Sequence, residues 1–164
     1  METAVIRLAT TADADAICKI YNHYVESTIV TFEETPVTPD VMAERIADIQ
    51  RSHVWYVACI DDAVAGYAYA GPWRSRAAYR FAVETTVYLD RDHTRRGLGR
   101  ALYGQLLPDL LELGFHCAMG GIALPNDASV ALHERMGFAK VAHFREVGFK
   151  FNRWIDVAYW QRAL

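Results

Sequence analysis

The chain has 164 residues, of which 52% are hydrophobic and 23% charged, with a formal net charge of −3. This length predicts one domain, residues 1–164, with a core of its own, and the weak negative charge argues against nucleic-acid binding. We expect a cytoplasmic protein, because no run approaches the ~18 apolar residues of a membrane span, the first residues lack a signal-peptide core, and three scattered cysteines suit a reducing compartment.

Strands and helices alternate in the first half of the chain. Residues 4–9 are predicted to form a strand, and a helix follows the capping-box pair Thr10 and Asp13. A second helix is predicted over residues 37–50, where a threonine cap precedes a proline in the first turn. Residues 54–71 contain two strand-like runs around an Asp–Asp turn, which predicts a hairpin.

The second half alternates in the same way. The β-branched and aromatic residues of 81–89 predict a strand, and a helix begins at Gly97. Pro108 falls inside this helix and is expected to kink or shorten it, leaving the carbonyl of Gly104 without its helical partner. The remaining elements are a strand, a short helix and two strands, at residues 116–124, 126–137, 138–144 and 154–161. This order predicts a mixed α/β fold.

The stretch HTRRGLGRAL, residues 93–102, joins a strand to the start of a helix. A helix start presents N–H groups and the positive end of the helix dipole, glycines let a ligand come close, and arginines add charge. Together these features predict a cradle for a diphosphate. The stretch is neither a P-loop, which needs GxxxxGK[ST], nor a Rossmann fingerprint, because Leu102 stands where the third glycine belongs. A solvated basic turn before an ordinary helix explains the same residues.

Other candidate residues also have simpler structural interpretations. Glu84 opens an otherwise uncharged strand, as a general base would, or as a solvated strand end. His133 sits among core-type residues and is either catalytic or packed. Arg74 and Arg76, two apart in an extended loop, either grip an anionic substrate or make a turn more soluble. Asn126 either contacts a ligand or caps the helix that follows it.

Five blocks of the chain, in order along nearly its whole length, resemble the phosphinothricin acetyltransferases and the similar methionine sulfoximine acetyltransferases of the GNAT N-acetyltransferase family. The third block resembles the acetyl-CoA pyrophosphate loop Gln/Arg-x-x-Gly-x-Gly/Ala, with Thr94 at the first position. The resemblance implies the GNAT fold, a strongly twisted mixed sheet flanked by helices and splayed between its fourth and fifth strands. The blocks are residues 20–39, 69–89, 94–102, 121–138 and 147–161.

The resemblance also implies where acetyl-CoA binds as co-substrate, and no metal is expected. The pantetheine arm is expected in the splay, against the edge of the fourth strand at Val87, Tyr88 and Leu89. The pyrophosphate is expected on the loop of Arg95, Arg96, Gly97, Leu98, Gly99 and Arg100. Asn126 matches a further cofactor contact.

Acetyl transfer to an amine requires the neutral amine, so a base must remove a proton before the amine attacks the thioester directly. The resemblance places Glu84 at the general base and His133 at a second catalytic position, while Tyr88 and Tyr103 are candidates to protonate the leaving thiolate. The implied substrate is a small amino-acid-like amine of the phosphinothricin, methionine sulfoximine or methionine sulfone type. Its implied binding residues are Phe32, Arg74, Ser75, Arg76, Tyr79, Thr85 and Thr86.

The resembled enzymes are usually homodimers, which implies a homodimer here, and Trp154, Tyr159 and Trp160 are interpreted as core or subunit-contact residues. Two alternatives stay open. One is a GNAT enzyme that acts on ordinary amino acids or on a protein or peptide amine, and the other is a non-catalytic acetyl-CoA-binding module. The presence of Glu84 argues against the module, and the basic segment before the fourth strand favours a small anionic amine over a peptide. No nucleic-acid or membrane partner is expected.

Overall fold

The computed structural model describes residues 4–164, so the first three residues of the predicted domain lie outside it. Within this range seven strands form one sheet in the order β1-β2-β3-β4-β5-β7-β6. The strands are β1 (Val5–Leu8), β2 (Trp55–Ile60), β3 (Ala63–Pro72), β4 (Ala82–Leu89), β5 (Cys117–Ala123), β6 (Ala139–Lys150) and β7 (Arg153–Ala163). The helices are α1 (Ala14–Ser27), α2 (Pro39–Gln50), α3 (Leu98–Glu112) and α4 (Asp127–Arg135).

The sheet opens between β4 and β5. These two strands run parallel, whereas the other neighbouring pairs are antiparallel. Their pairing covers only residues 82–84 of β4 against residues 117–119 of β5, while β4 stays paired with β3 as far as Leu89. The edge of β4 beyond Glu84 therefore faces an opening instead of a neighbouring strand. This geometry confirms the expected splay between the fourth and fifth strands.

Each face of the sheet carries its own core. The helix α3 covers one face with the fully buried leucines Leu102, Leu106 and Leu110. On the other face, α1 and α2 contribute Ile17 and Ile46, which are also fully buried. Because side chains alternate along a strand, successive residues of β4 join different cores, with Val87 on the α3 side and Tyr88 on the other.

Two predicted elements differ from the structure in extent. The helix α3 is not shortened at Pro108 and continues to Glu112. Pro108 and Gly104 both lie on the exposed side of the helix, where water can bind the carbonyl that has lost its partner. The strand β6 was expected to end at residue 144 but reaches Lys150, because two register shifts break the alternating pattern on which the prediction depended.

The predicted hairpin of β2 and β3 is confirmed. Asp61 and Asp62 form its turn with φ values of 48° and 63°, the left-handed conformation that a tight hairpin turn requires and that aspartate tolerates. No helix among residues 4–164 is long and apolar enough to span a membrane.

Candidate active site

A cleft of about 550 Å³ lies where β4 and β5 separate. Its walls come from the α1–α2 loop, β4, β5, α4 and the hairpin of β6 and β7. The predicted site residues that line it are Phe32, Arg74, Glu84, Thr85, Thr86, Val87, Tyr88, Asn126 and His133. The fold therefore brings both catalytic candidates, one of the two arginines and two of the three residues of the pantetheine edge to one place.

Three predicted substrate residues do not line this cleft. Ser75, Arg76 and Tyr79 lie exposed in the segment that connects β3 to β4. The prediction assumed a straight extended segment, but the chain bends at Ser75 and Arg76, just before a 3-10 turn that begins at Ala77. Of the two arginines, Arg74 lines the cleft and Arg76 does not.

Glu84 lies where the sheet opens. It is the last residue of β4 that pairs with β5, opposite Met119. Burial raises the pKa of the Glu84 carboxyl, and the positive charge of Arg74 opposes this shift. A carboxylate with a raised pKa accepts protons more readily than an ordinary glutamate. The position of Glu84 in the cleft and its raised pKa suit the predicted role as a base, which stays a prediction.

A buried hydrogen-bonded chain connects α4 to β4 beside the cleft. The Tyr103 hydroxyl lies 3.1 Å from His133 Nε2 and 3.1 Å from Thr85 Oγ1. Thr85 in turn donates to the Met119 carbonyl at 3.2 Å. His133 Nδ1 lies 2.7 Å from the Ser129 carbonyl, which can only accept, so Nδ1 carries the proton. Burial lowers the pKa of His133, because it disfavours the charged form of the ring.

The predicted diphosphate cradle follows the C-terminal end of β4. The backbone turns sharply there, with φ values of 63° at Arg95 and 79° at Gly97. Gly97 is the N-cap of α3 and has no side chain to cap the first N–H groups of the helix. A Cβ on Gly97 would meet nothing within 4 Å. Open space in front of an uncapped helix start is the arrangement that an anion requires.

Two residues of this loop have a role in packing. Leu98 is buried in the core between α3 and the sheet. A Cβ on Gly99 would lie 2.9 Å from a terminal methyl group of Leu132 in α4, so Gly99 also lies in the contact between the two helices. Asn126 caps α4, because its Oδ1 accepts the Ser129 N–H at 3.1 Å, and it also lines the cleft. Leu89, Arg95, Arg96 and Arg100 lie outside the cleft lining.

Tyr159 is a cleft residue that the sequence interpretation assigned to the core or a subunit contact. It pairs across β7 and β5 with Gly121, and a Cβ on Gly121 would lie 2.8 Å from its ring. On the opposite face of β5, a Cβ on Gly120 would lie 2.6 Å from the His133 ring. Two adjacent glycines inside a strand often mark a close approach. That signal was present in the sequence, but it does not say which side chains approach. Trp160 is buried in the core, as expected.

Comparison with known proteins agrees with this geometry. A family model described as "Acetyltransferase (GNAT) domain" matches residues 6–159, so the chain belongs to the GNAT acetyltransferase family. A phosphinothricin N-acetyltransferase of Streptomyces viridochromogenes is 45% identical over 157 residues, covering 96% of this chain and 86% of the relative. A Salmonella typhimurium L-methionine sulfoximine/L-methionine sulfone acetyltransferase is 37% identical, covering 97% and 94%.

A solved structure gives the same result for the fold. The GNAT phosphinothricin acetyltransferase of Sinorhizobium meliloti, in complex with acetyl-CoA, superposes with a TM-score of 0.95 at 38% identity, covering 99% of this chain and 89% of that one. The fold of this chain is the GNAT fold, and the protein is an acetyltransferase of that family.

Proposed function

We propose that the protein transfers the acetyl group of acetyl-CoA to the α-amine of a small amino acid of the phosphinothricin, methionine sulfoximine or methionine sulfone type. The observation that carries the proposal is the meeting of Glu84 and Arg74 in the cleft at the open edge of β4. A base and an anion-binding group in one cleft match the ammonium and the carboxylate of an amino acid. The similarity to enzymes with these substrates supports the choice.

Acetyl-CoA binds, in this proposal, along the edge of β4 that has no partner strand. The backbone of Val87, Tyr88 and Leu89 bonds the pantetheine arm as a neighbouring strand would. The pyrophosphate lies at the start of α3, on the turn formed by Arg95, Arg96 and Gly97, with Arg100 on the first helical turn. Because Leu98 is buried and Gly99 packs on Leu132, these two residues offer backbone N–H groups and no side-chain contact.

The chemistry is a direct attack. Glu84 removes a proton from the substrate ammonium, and the nitrogen lone pair attacks the thioester carbonyl carbon. The tetrahedral adduct collapses as the carbon–sulfur bond breaks, the nitrogen releases its second proton to water to give the neutral amide, and the thiolate takes up a proton. Tyr88 and Tyr103 both line the cleft, and either supplies that proton. His133 acts through Tyr103, because its Nε2 faces the Tyr103 hydroxyl.

Arg74 binds the substrate carboxylate in this scheme. Its guanidinium is placed at the cleft by packing over the ring of Trp73, 4.7 Å from the ring centroid. Fixing the carboxylate also fixes the amine relative to the thioester, which lowers the barrier through orientation. Thr86 and Phe32 complete the substrate contacts. The hydroxyl of Thr85 donates to the Met119 carbonyl and so holds β4 against β5 where the cleft begins.

We propose that the protein is a homodimer. Large apolar side chains stand exposed along the hairpin of β6 and β7, and contact with a second copy of the chain would bury them. They are Val141, Phe144, Val147, Phe149, Phe151 and Trp154. We expect sedimentation equilibrium to give twice the chain mass, and Trp154→Asp to shift the protein toward the monomer. A wild-type protein that sediments as a monomer at micromolar concentration would contradict the dimer.

The experiment that tests the function is an amine panel. Purified protein and acetyl-CoA are mixed with phosphinothricin, methionine sulfoximine, methionine sulfone, ordinary amino acids and a peptide N-terminus, and the released thiol is measured. We expect the highest kcat/KM among the first three. Preference for ordinary amino acids or for the peptide would establish the alternative acetyltransferase, and thiol release with no amine would show only hydrolysis.

A further inference from the structure

The loop between α1 and α2, residues 28–38, forms one wall of the cleft. It contains no helix or strand. Its cleft-lining residues are Val30, Thr31 and Phe32. The loop is fastened to the two helices that flank it. Arg45 of α2 pairs with Glu33 at 2.6 Å, and the hydroxyl of Tyr21 in α1 lies 2.9 Å from Thr31 Oγ1.

A second anchor comes from β6. This strand is exposed along most of its length, but Gly148 and Lys150 are buried. A spacing of two places both on the same face of the strand. That face meets the loop, because Lys150 Nζ donates to the Thr31 carbonyl at 2.8 Å. The ring of Phe32 lies so close to the backbone of Gly148 that a Cβ there would overlap it.

Lys150 is an unusual residue for this position. Its side chain is only 2% exposed, and burying an ammonium is costly unless a carboxylate pairs with it. Here the hydrogen-bond acceptor is a neutral carbonyl, and the ring of Phe151 lies 5.1 Å from Nζ. Burial lowers the pKa of the Lys150 amine, and Glu34 opposes the shift. Methionine has a similar volume without this cost but cannot donate to the Thr31 carbonyl, so the bond to the loop is what the lysine adds.

Gly148 is unusual for a different reason. Its φ lies outside the left-handed region, so the backbone there accepts an L residue. The ring of Phe32 is what excludes a side chain. Glycine inside a strand weakens the strand, and this one leaves a recess in which the Phe32 ring rests. The same ring forms part of the cleft wall and keeps 41% of its surface exposed.

We propose that Gly148 and Lys150 are positioning residues that determine which amine side chains the cleft accepts. The inference rests on the proposed function. The bond from Lys150 holds the Thr31 backbone at a fixed distance from β6. The absence of a side chain at Gly148 lets the Phe32 ring lie against β6. The position of this ring then sets the width of the cleft. Because Phe32, Phe144 and Val147 are all apolar walls, the matching side chain has a slender, uncharged stem.

The first test narrows the cleft. Gly148→Ala moves the Phe32 ring out of its recess and into the space that a substrate side chain would occupy. For amino acids with one common head group and side chains of increasing length, we expect kcat/KM to fall about ten- to a hundredfold for the longest. The shortest should change by less than about threefold. Gly104→Ala is the matched control, because a Cβ there meets nothing within 4 Å.

The second test releases the anchor. Lys150→Met keeps the volume and removes both the buried charge and the bond to Thr31, two effects of opposite sign, so we expect thermal stability to change little. The KM of the amine should rise about tenfold with loss of length discrimination, while the KM of acetyl-CoA stays the same. Lys19→Met, the same change at an exposed position of α1, is the control. A purely structural lysine would lower stability and leave discrimination intact.

A compensating change separates the outcomes. Phe32→Leu in the Gly148→Ala background shortens the ring side chain that was displaced, so length discrimination should move back toward wild type, and the two changes should be non-additive. If Gly148→Ala and Lys150→Met both discriminate between side-chain lengths as the wild type does, the positioning role of Gly148 and Lys150 is contradicted and the proposed function is not affected. A wild-type protein that acetylates no amine in the series overturns the proposed function instead.

Discussion

The position of Glu84 in the strand determines both its burial and its raised pKa. It is partly buried because it lies at the last pair of β4 and β5, and it faces the cleft because the sheet opens just beyond it. Burial of a carboxylate is unfavourable for folding, and the raised pKa of Glu84 expresses that cost. A residue kept at such a position at the expense of stability is typical of a functional site.

Replacing Glu84 by glutamine keeps the shape and removes the base. We expect Glu84→Gln to lower turnover at neutral pH by about 100- to 10,000-fold, while calorimetry shows unchanged acetyl-CoA affinity. The wild type should gain activity as the pH rises through the raised pKa of Glu84, and the variant should lack this rise. Full turnover in the variant from pH 6 to 9 would show that Glu84 is structural and would favour His133 as the base.

The same substitution has an expected effect on stability. Because the folded pKa of Glu84 lies above its unfolded value, the folded state binds more protons between the two values, and stability falls as the pH rises through that window. Glu84→Gln lacks this loss, so its advantage in thermal unfolding should be larger at pH 7 than at pH 4. An advantage that does not depend on pH would contradict the buried ionised state.

Arg74 is expected to bind the substrate carboxylate. Arg74→Ala should lower kcat/KM for an amino acid about ten- to a hundredfold, the range of a charge-assisted hydrogen bond, and should affect the corresponding amide much less. Since Arg74 lowers the pKa of Glu84, the pH profile should also shift to higher pH. Arg76→Ala is a matched control outside the cleft. Equal losses for acid and amide would remove Arg74 from substrate recognition.

The site could be predicted from sequence only in part, and the reason is geometric. Glu84 could be singled out because its strand is otherwise uncharged, and Arg74 because it forms a pair with Arg76 two residues away. Arg76 could not be separated from Arg74, because the chain bends at Ser75 and Arg76 without a strong sequence signal. Tyr159 reaches the cleft across a strand pair with Gly121, a contact between residues far apart in sequence that no local pattern specifies.

At the scale of elements, the two glycines at the start of α3 have different roles. Gly97 provides the left-handed turn and the open space, whereas Gly99 permits contact between α3 and α4. A substitution at Gly99 would therefore disturb helix packing as well as any ligand. Position 97 offers the cleaner test of the proposed pyrophosphate site.

Gly97→Ala should weaken acetyl-CoA binding about tenfold or more, close to the worth of one hydrogen bond, because an L residue shifts the turn away from φ of 79°. Gly114→Ala is the matched control, since Gly114 has φ of 89° and equally open surroundings at the other end of α3. Both variants should lose similar stability. Equal acetyl-CoA affinity in the two, measured by calorimetry, would place the pyrophosphate elsewhere.

The helices and most strands follow from caps, periodicity and β-branched runs, because these signals act within a few residues. The length of β6 does not, since its bulges are set by the partner strand and by the Asp156 carboxylate, which accepts the Glu146 N–H at 2.8 Å. Pro108 was expected to shorten α3 because local rules count a lost hydrogen bond as a break. On the exposed side of a helix whose other side is buried, packing outweighs that loss.

At the scale of the whole molecule, one feature organises the rest. The short pairing of β4 with β5 leaves a strand edge and a cleft in the same place, so a chain-like donor can lie along the edge while an acceptor approaches from the cleft. A donor and an acceptor held side by side require no intermediate bound to the protein. This is the physical basis for proposing direct transfer.

The most direct test of that claim follows the acetyl group itself. The protein is mixed with acetyl-CoA labelled in the acetyl group, first without and then with phosphinothricin or methionine sulfone, and the label is located by mass spectrometry. We expect no label on the protein in either case and one acetyl group on the α-nitrogen of the amine. Labelled protein that loses its acetyl group when the amine is added would contradict direct transfer, and no labelled amine with any substrate would contradict the proposed function.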